Sequence, residues 1–245
     1  MAKIKTVKGV KDHKVVRSEA WLKARKALLL KEKKFTKLRD QLNQQRQNLP
    51  WEKVEKDYGF DGSQGRESLA DLFGNKSQLI IWHFMFGPDW KEGCSHCSFW
   101  ADSFNGNIVH MAARDTTMLA VSRAPLKKIE PFQKRMGLDF KWVSSFNTDF
   151  NYDYQASFSP MDFKRGKAVY NYKVIEPFSD ELHGVSVFYK DPQGDIYHTY
   201  STYGRGVDML NNAYQYIDLT AKGRDEDLST DHPSGWVRHH DKYAR

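Results

Sequence analysis

The stretch LIIWHFMFGPDWKEGCSHCSFWADSFN, residues Leu79–Asn105, carries the longest apolar run of the chain, then a turn, then both of its cysteines. Leu79–Phe86 is continuously apolar except for His83, the pattern of a central strand covered on both faces. Gly87-Pro88-Asp89 ends it. Ser98–Asn105 continues with amphipathic helical spacing, so Cys94 and Cys97 fall where a buried strand passes into a helix. At the first turn of a helix, free backbone N–H groups and the helix dipole stabilise a thiolate. Cys94 is therefore the expected attacking thiol, and Cys97, one turn on and less exposed, the resolving one. His96 between them places a positive charge beside the thiolate, which favours the reduced form and makes the disulfide a stronger oxidant. Cys94, His96 and Cys97 would offer three soft ligands, but no second cysteine pair completes a zinc site. No metal and no organic cofactor is expected.

The elements around this stretch alternate. Tyr58–Gly65 is turn-rich and predicts a hairpin, followed by a short helix at Ser68–Phe73. Downstream, Thr117–Ser122 reads as a strand, Pro125–Met136 as a helix closed by Gly137, and Phe140–Ser145 as another strand. Gly184–Lys190 and Asp195–Tyr200 flank the turn Asp191-Pro-Gln-Gly194 and predict a two-stranded hairpin, with a helix at Asp208–Leu219 behind it. Strand, CxxC, helix, strand, helix, then an antiparallel hairpin and a helix is the order of a thioredoxin-like α/β fold.

Charge divides the chain differently. It has 245 residues and a formal net charge of +7, of which residues 1–50 hold 11 Lys and 4 Arg against 2 Asp and 2 Glu. The basicity belongs to this arm, since the remaining residues are net acidic. From Ser18, a plausible N-cap, to Leu49 the arm reads as one long helix with Trp21, Leu28, Phe35, Leu42 and Leu49 repeating every seven residues. That stripe predicts packing against the protein's own body or against a second copy, a homodimer through the N-terminal helix. Positive charge alone is non-specific, so nucleic acid is not the expected partner. The longest apolar run is strand-length, which argues against a membrane span. The start, MAKIKTVKGVKDHK, lacks an apolar core and a cleavage site, so a cytoplasmic location is expected. Domain limits are set accordingly as a basic arm at 1–50, a thioredoxin-like body at 51–222 and a C-terminal tail at 223–245 packing on it.

Other candidates have plainer readings. His83 lies inside the apolar strand and reads as a core histidine, His239-His240-Asp241 as a solvated tail, and Arg114 and Asp115 as ion-pairing residues.

The segments WLKARKALLLKEK, SLADLF, HFMFGPDWKEGC, CSFWAD, AARDTTMLAVSRAP, WVSSFNTDFNYD, HTYSTYGRG, YQYIDLT, GRDE and WVRHHDKY run from the arm to the C-terminal region. Through them the sequence resembles the bacterial thioredoxin-like family catalogued as domain-of-unknown-function 899, over nearly the whole chain. The resemblance implies kinship with thioredoxins and peroxiredoxins, and a protein or small-molecule thiol or disulfide as partner. Many family members have Pro and Ser, or a similar pair, where this chain has Ser95 and His96. His183-Gly184 stands where a thioredoxin keeps its cis-proline, so His183 and Gly184, with Trp90, are the implied substrate-binding residues. Lys91 stands where a peroxiredoxin has a Thr or Ser, which counts against peroxidase chemistry. Two readings remain: a thiol–disulfide oxidoreductase using Cys94, Cys97 and His96, and a non-catalytic thioredoxin-fold interaction or dimerisation protein, with a thiol peroxidase as a weaker third.

Overall fold

A computed structural model describes residues 10, 13–226 and 233–244. The expectation about the lysine-rich start therefore falls largely outside the described residues. A long helix α1 (Ser18–Gln47) leads into strand β1 (Glu52–Lys53), the hairpin β2 (Gly59–Gly62) and β3 (Gly65–Ser68), and a short helix α2 (Leu69–Leu72). Then come β4 (Gln78–His83), α3 (Ser95–Asn105), α4 (Ile108–Ala112), β5 (Thr116–Ser122), α5 (Leu126–Arg135) and β6 (Trp142–Ser144). Short helices α6 (Phe150–Asp153) and α7 (Pro160–Arg165) and the small hairpin β7 (Ala168–Tyr170) and β8 (Lys173–Ile175) precede the long hairpin β9 (Gly184–Lys190) and β10 (Ile196–Tyr203). A 3-10 segment (Gly204–Leu210), α8 (Asn212–Ile217) and a 3-10 turn (His240–Lys242) complete the order.

Among the described residues one sheet runs in the order β1-β10-β9-β4-β5-β6-β2-β3. β4, β5 and β6 are parallel, and β9 lies antiparallel on the other side of β4. This is the thioredoxin-like α/β arrangement, with the cysteine-bearing helix leaving the central strand. β4 alternates because successive side chains point to opposite faces. Leu79 and Ile81 enter a core with Phe60, Leu119, Phe150 and Phe188, whereas Trp82 enters a second core with Trp100, Trp142 and Cys97. Each such buried side chain contributes about 1.5–3 kcal/mol, so the strand from which the site hangs is fixed from both sides. His83 is buried in it, its Nε2 2.8 Å from Ser186 Oγ, and burial pushes its imidazole down to about 3.

Several boundaries differ from expectation. β4 ends at His83 and not at Phe86, because its partner β9 begins at Gly184, opposite His83. Residues 84–86 stay anchored through Phe84 N–H to Val121 O at 3.0 Å and Ala124 N–H to Phe86 O at 2.7 Å. The helix expected at Asp208–Leu219 is split at Asn211, whose side chain accepts the Tyr214 N–H at 3.0 Å and caps α8. Asp115 accepts the Ser77 hydroxyl at 2.5 Å, and Arg114 gives its backbone carbonyl to Gln78 and Thr116, in place of the expected ion pairs. Arg17, not Ser18, holds the N-cap position of α1, without a side-chain capping bond, and no residue of that helix is buried. The apolar stripe thus does not pack on the body. Body contacts come at the junction, where Arg46 lies over the Tyr200 ring and Trp51 packs on Tyr189 and Tyr197.

Candidate active site

Cys94 is the residue on which α3 opens, with φ −59° and ψ 131°, and it is half-buried; Cys97, one turn into the helix, is 1% exposed. Both are free thiols. Met85, just beyond β4, ties both to the sheet: its carbonyl accepts the Cys94 N–H at 3.0 Å, and its N–H donates to Cys97 Sγ at 3.4 Å. The two thiols thereby acquire opposite environments. The Cys97 thiol and then His96, both hydrogen-bonding its sulfur, hold Cys94 well below the usual thiol range, against its own burial. Burial, and the Cys94 sulfur beside it, push Cys97 well above that range. His96 is raised by its hydrogen bond with Cys94, against burial, with Ser234 and Glu226 adding to the effect. A thiolate and an imidazolium each stabilise the other here.

His183 precedes β9 at the same end of the sheet. Its ring lies 5.8 Å from that of Trp82 and 6.1 Å from that of Trp100, and its Nε2 is 3.4 Å from Gly204 O. Burial lowers its pKa, and the Cys94 charge pulls the other way. Gly184 is fixed by space: a Cβ there would lie 2.3 Å from Tyr203 Cδ1. Trp90 donates from Nε1 to Asp180 Oδ1 at 3.1 Å, joining the loop before the cysteines to the loop before β9. Beside it, Pro88, Asp89, Arg123, Tyr152, Phe163 and Asp180 help to line a cleft of about 460 Å³.

Two groups of residues at this site escape sequence reasoning. Glu181, 1% exposed, accepts from Arg123 Nε at 2.5 Å and from Ser157 Oγ at 2.7 Å. Burial raises its carboxyl to about 7, and its charge is among those that raise Cys97. The second group comes from the C-terminal segment. His239, expected in a solvated tail, is 4% exposed and donates from Nε2 to the Gly93 carbonyl at 2.8 Å, one residue before Cys94. His96 Nε2 lies 3.2 Å from Ser234 O and 3.0 Å from Ser234 Oγ. Trp236 packs on Phe99 of α3 and donates from its indole to Glu226 at 2.8 Å. The one local hint is the apolar and aromatic WVRHH stretch after a polar one, within which Val237 and His239 are buried.

Among solved structures, a PrxQ mutant from Xylella fastidiosa is 13% identical, with 68% of this chain and 94% of that one covered and a TM-score of 0.43. The 1-Cys peroxiredoxin of yeast mitochondria is 15% identical over 71% of this chain and 78% of that one, TM-score 0.43. A thiol:disulfide interchange protein DsbE from Chlorobium tepidum is 16% identical over 71% and 99%, TM-score 0.40. No curated protein matches. The family model described as "Bacterial protein of unknown function (DUF899)" matches residues 10–243, and the chain belongs to that family.

Proposed function

We propose that this chain is a thiol–disulfide oxidoreductase in which Cys94 and Cys97 cycle between dithiol and disulfide. The observation that carries the reading is the placement of the two thiols: a half-buried Cys94 on which α3 opens and a fully buried Cys97 one turn on, both tied to Met85. It is supported by the direction of their shifts, Cys94 down through Cys97 and His96 and Cys97 up through burial. A thiolate attacks, and a buried neighbour waits. The Cys94 thiolate attacks one sulfur of a substrate disulfide, forming a mixed disulfide and releasing the other sulfur as a thiolate that takes up a proton. Cys97 then gives up its proton and attacks Cys94 Sγ, closing the Cys94–Cys97 bond and releasing the second substrate thiol. Two electrons pass to the substrate, which leaves as two thiols. The partner is a protein or small-molecule disulfide, with Trp90, His183 and Gly184 on the substrate side, and a reducing compartment such as the cytoplasm suits the starting dithiol. Equilibration in glutathione buffers followed by thiol trapping tests this: both thiols should disappear together in one two-electron transition. Thiols that stay free across all buffers would overturn it.

A second reading rests on a separate observation, that no residue of α1 is buried and that the large apolar Trp21 and Phe35 are 59% and 62% exposed. In it the arm is an association surface for a second copy of this chain. The two readings concern different parts of the molecule and are compatible. No helix among the described residues is long and apolar enough to cross a membrane.

A further inference from the structure

His96 reaches its partner across 138 positions of sequence. A carbonyl oxygen can only accept, so the 3.2 Å contact with Ser234 O requires the proton on His96 Nε2, with Ser234 Oγ 3.0 Å away as a second contact. That assignment leaves Nδ1 as the ring nitrogen available to Cys94. In the neutral ring Nδ1 then carries a lone pair and is a base toward the Cys94 thiol; with both nitrogens protonated, Nδ1–H faces a thiolate and Nε2–H still faces Ser234. Without an acceptor at Nε2 the ring is free to place its one proton on either nitrogen or to turn away. The segment carrying Ser234 is held by contacts of its own: Trp236 against Phe99, Tyr214 and Glu226, and His239 on Gly93 O.

We propose that Ser234 is a positioning residue of the redox site, supplied by the C-terminal segment, which fixes His96 in the Nε2–H form so that Nδ1 takes and holds the Cys94 proton. This rests on the oxidoreductase reading above. The charged and titratable groups facing the pair are Cys97 from α3, His183 from the loop before β9, and Glu226 from the C-terminal segment, with Glu181 behind Cys97. The arrangement follows the general rule that a group bonded to the far nitrogen of an imidazole sets what the near nitrogen does.

The test is the pH profile of Cys94 alkylation by iodoacetamide in the full chain, with mass spectrometry separating Cys94 from Cys97. Trp236→Ala, which loosens the segment and takes both Ser234 O and Ser234 Oγ off His96, should move the Cys94 profile upward by roughly 0.5–1 pH unit, slowing alkylation below the wild-type midpoint by about three- to tenfold. Ser234→Ala, which keeps the carbonyl on Nε2, should move it less. Ser234→Asp, which puts a carboxylate against Nε2–H, should move it downward. In a His96→Gln background these substitutions should leave the profile where His96→Gln alone puts it, an effect a packing role could not mimic. Alkylation reads the thiol itself and needs no turnover. A wild-type profile with a depressed midpoint that neither Trp236→Ala nor Ser234→Asp moves, or shifts that persist in the His96→Gln background, would overturn this inference while leaving the redox reading standing. An ordinary wild-type thiol profile would overturn both.

Discussion

His96 and Cys94 favour each other's charged forms, and on the proposed oxidoreductase reading this fixes the direction in which the redox poise moves. A depressed thiol pKa stabilises the reduced protein, so the disulfide is the better oxidant. His96→Gln removes one of the groups holding Cys94 down, so the reduction potential should fall, by about 30 mV for each tenfold change in the exchange constant. Glutathione titration of the variant measures it, and a rise would contradict the ion-pair account. Glu181 gives a second prediction. Its folded value of about 7 lies above the roughly 4.3 of an unfolded glutamate, so folding favours the protonated carboxyl. The contribution is complete below about pH 4.3 and is lost as pH rises through about 7. Glu181→Gln should flatten that decline in urea midpoints between pH 5 and 8, and should lower the Cys97 thiol because a charge that raises it is gone. A variant that keeps the wild-type slope would show that the Arg123 pair holds Glu181 ionised throughout. Cys94, His96 and Cys97 were legible as a group because they are neighbours in sequence. Glu181 was not, since a lone glutamate before a strand looks like any surface carboxylate until burial is known.

The C-terminal segment is held on the site by contacts of unequal strength. Glu92, beside the cysteines, takes Lys242 at 2.8 Å and Arg135 at 2.9 Å, and Arg135 also pairs with Asp241 at 3.2 Å. Lys242 first and Arg135 second pull Glu92 down to about 2. The value is depressed, so this stabilisation is present above about pH 4.3 and disappears as pH falls through about 2. These groups are exposed and screened, and each pair contributes under about 1 kcal/mol. The buried bond from His239 to Gly93 O is different, because losing it strands a carbonyl in the interior at about 1–3 kcal/mol. His239→Ala should therefore speed hydrogen exchange and proteolysis of residues 233–244 far more than Glu92→Gln does at neutral pH; equal effects, or a larger one from Glu92→Gln, would mean that the charges hold the segment. The same contrast explains what sequence reading captured at this scale. The alternation of strands and helices follows from local periodicity and turn residues, so β4, β5, α5 and the β9–β10 hairpin stood out. His239 meets Gly93 across 146 positions, and the WVRHH stretch hints at burial but not at the partner. Asn211 escaped for a smaller reason, since its capping bond interrupts an apolar pattern that otherwise reads as one helix.

At the scale of the whole molecule the unmet demand is α1. A 30-residue helix spans about 45 Å, and this one turns Trp21, Leu28, Phe35 and Leu42 to solvent. A strict seven-residue apolar repeat suits another helix with the same period better than a flat surface, because it drifts around a straight helix and is kept in contact only by supercoiling. On the second reading proposed above, a second copy of this chain supplies that partner. The charges oppose it: six Lys and three Arg against two Glu and one Asp lie on the helix, so two copies brought together repel. The apolar term is the larger, at about 1.5–3 kcal/mol for each large side chain buried against well under 1 kcal/mol for each exposed charge pair. Association should therefore strengthen as salt screens the lysines, and Leu28→Ala with Phe35→Ala should abolish it in sedimentation or size-exclusion experiments. Lys33→Glu with Lys37→Glu should leave the dimer intact or tighten it. If added salt dissociates the dimer, or the lysine reversals are the more damaging pair, the arm binds through its charge and its occupant is a polyanion; nucleic acid and anionic vesicles are then the probes to add, and protection of α1 from protease by either one would identify the class.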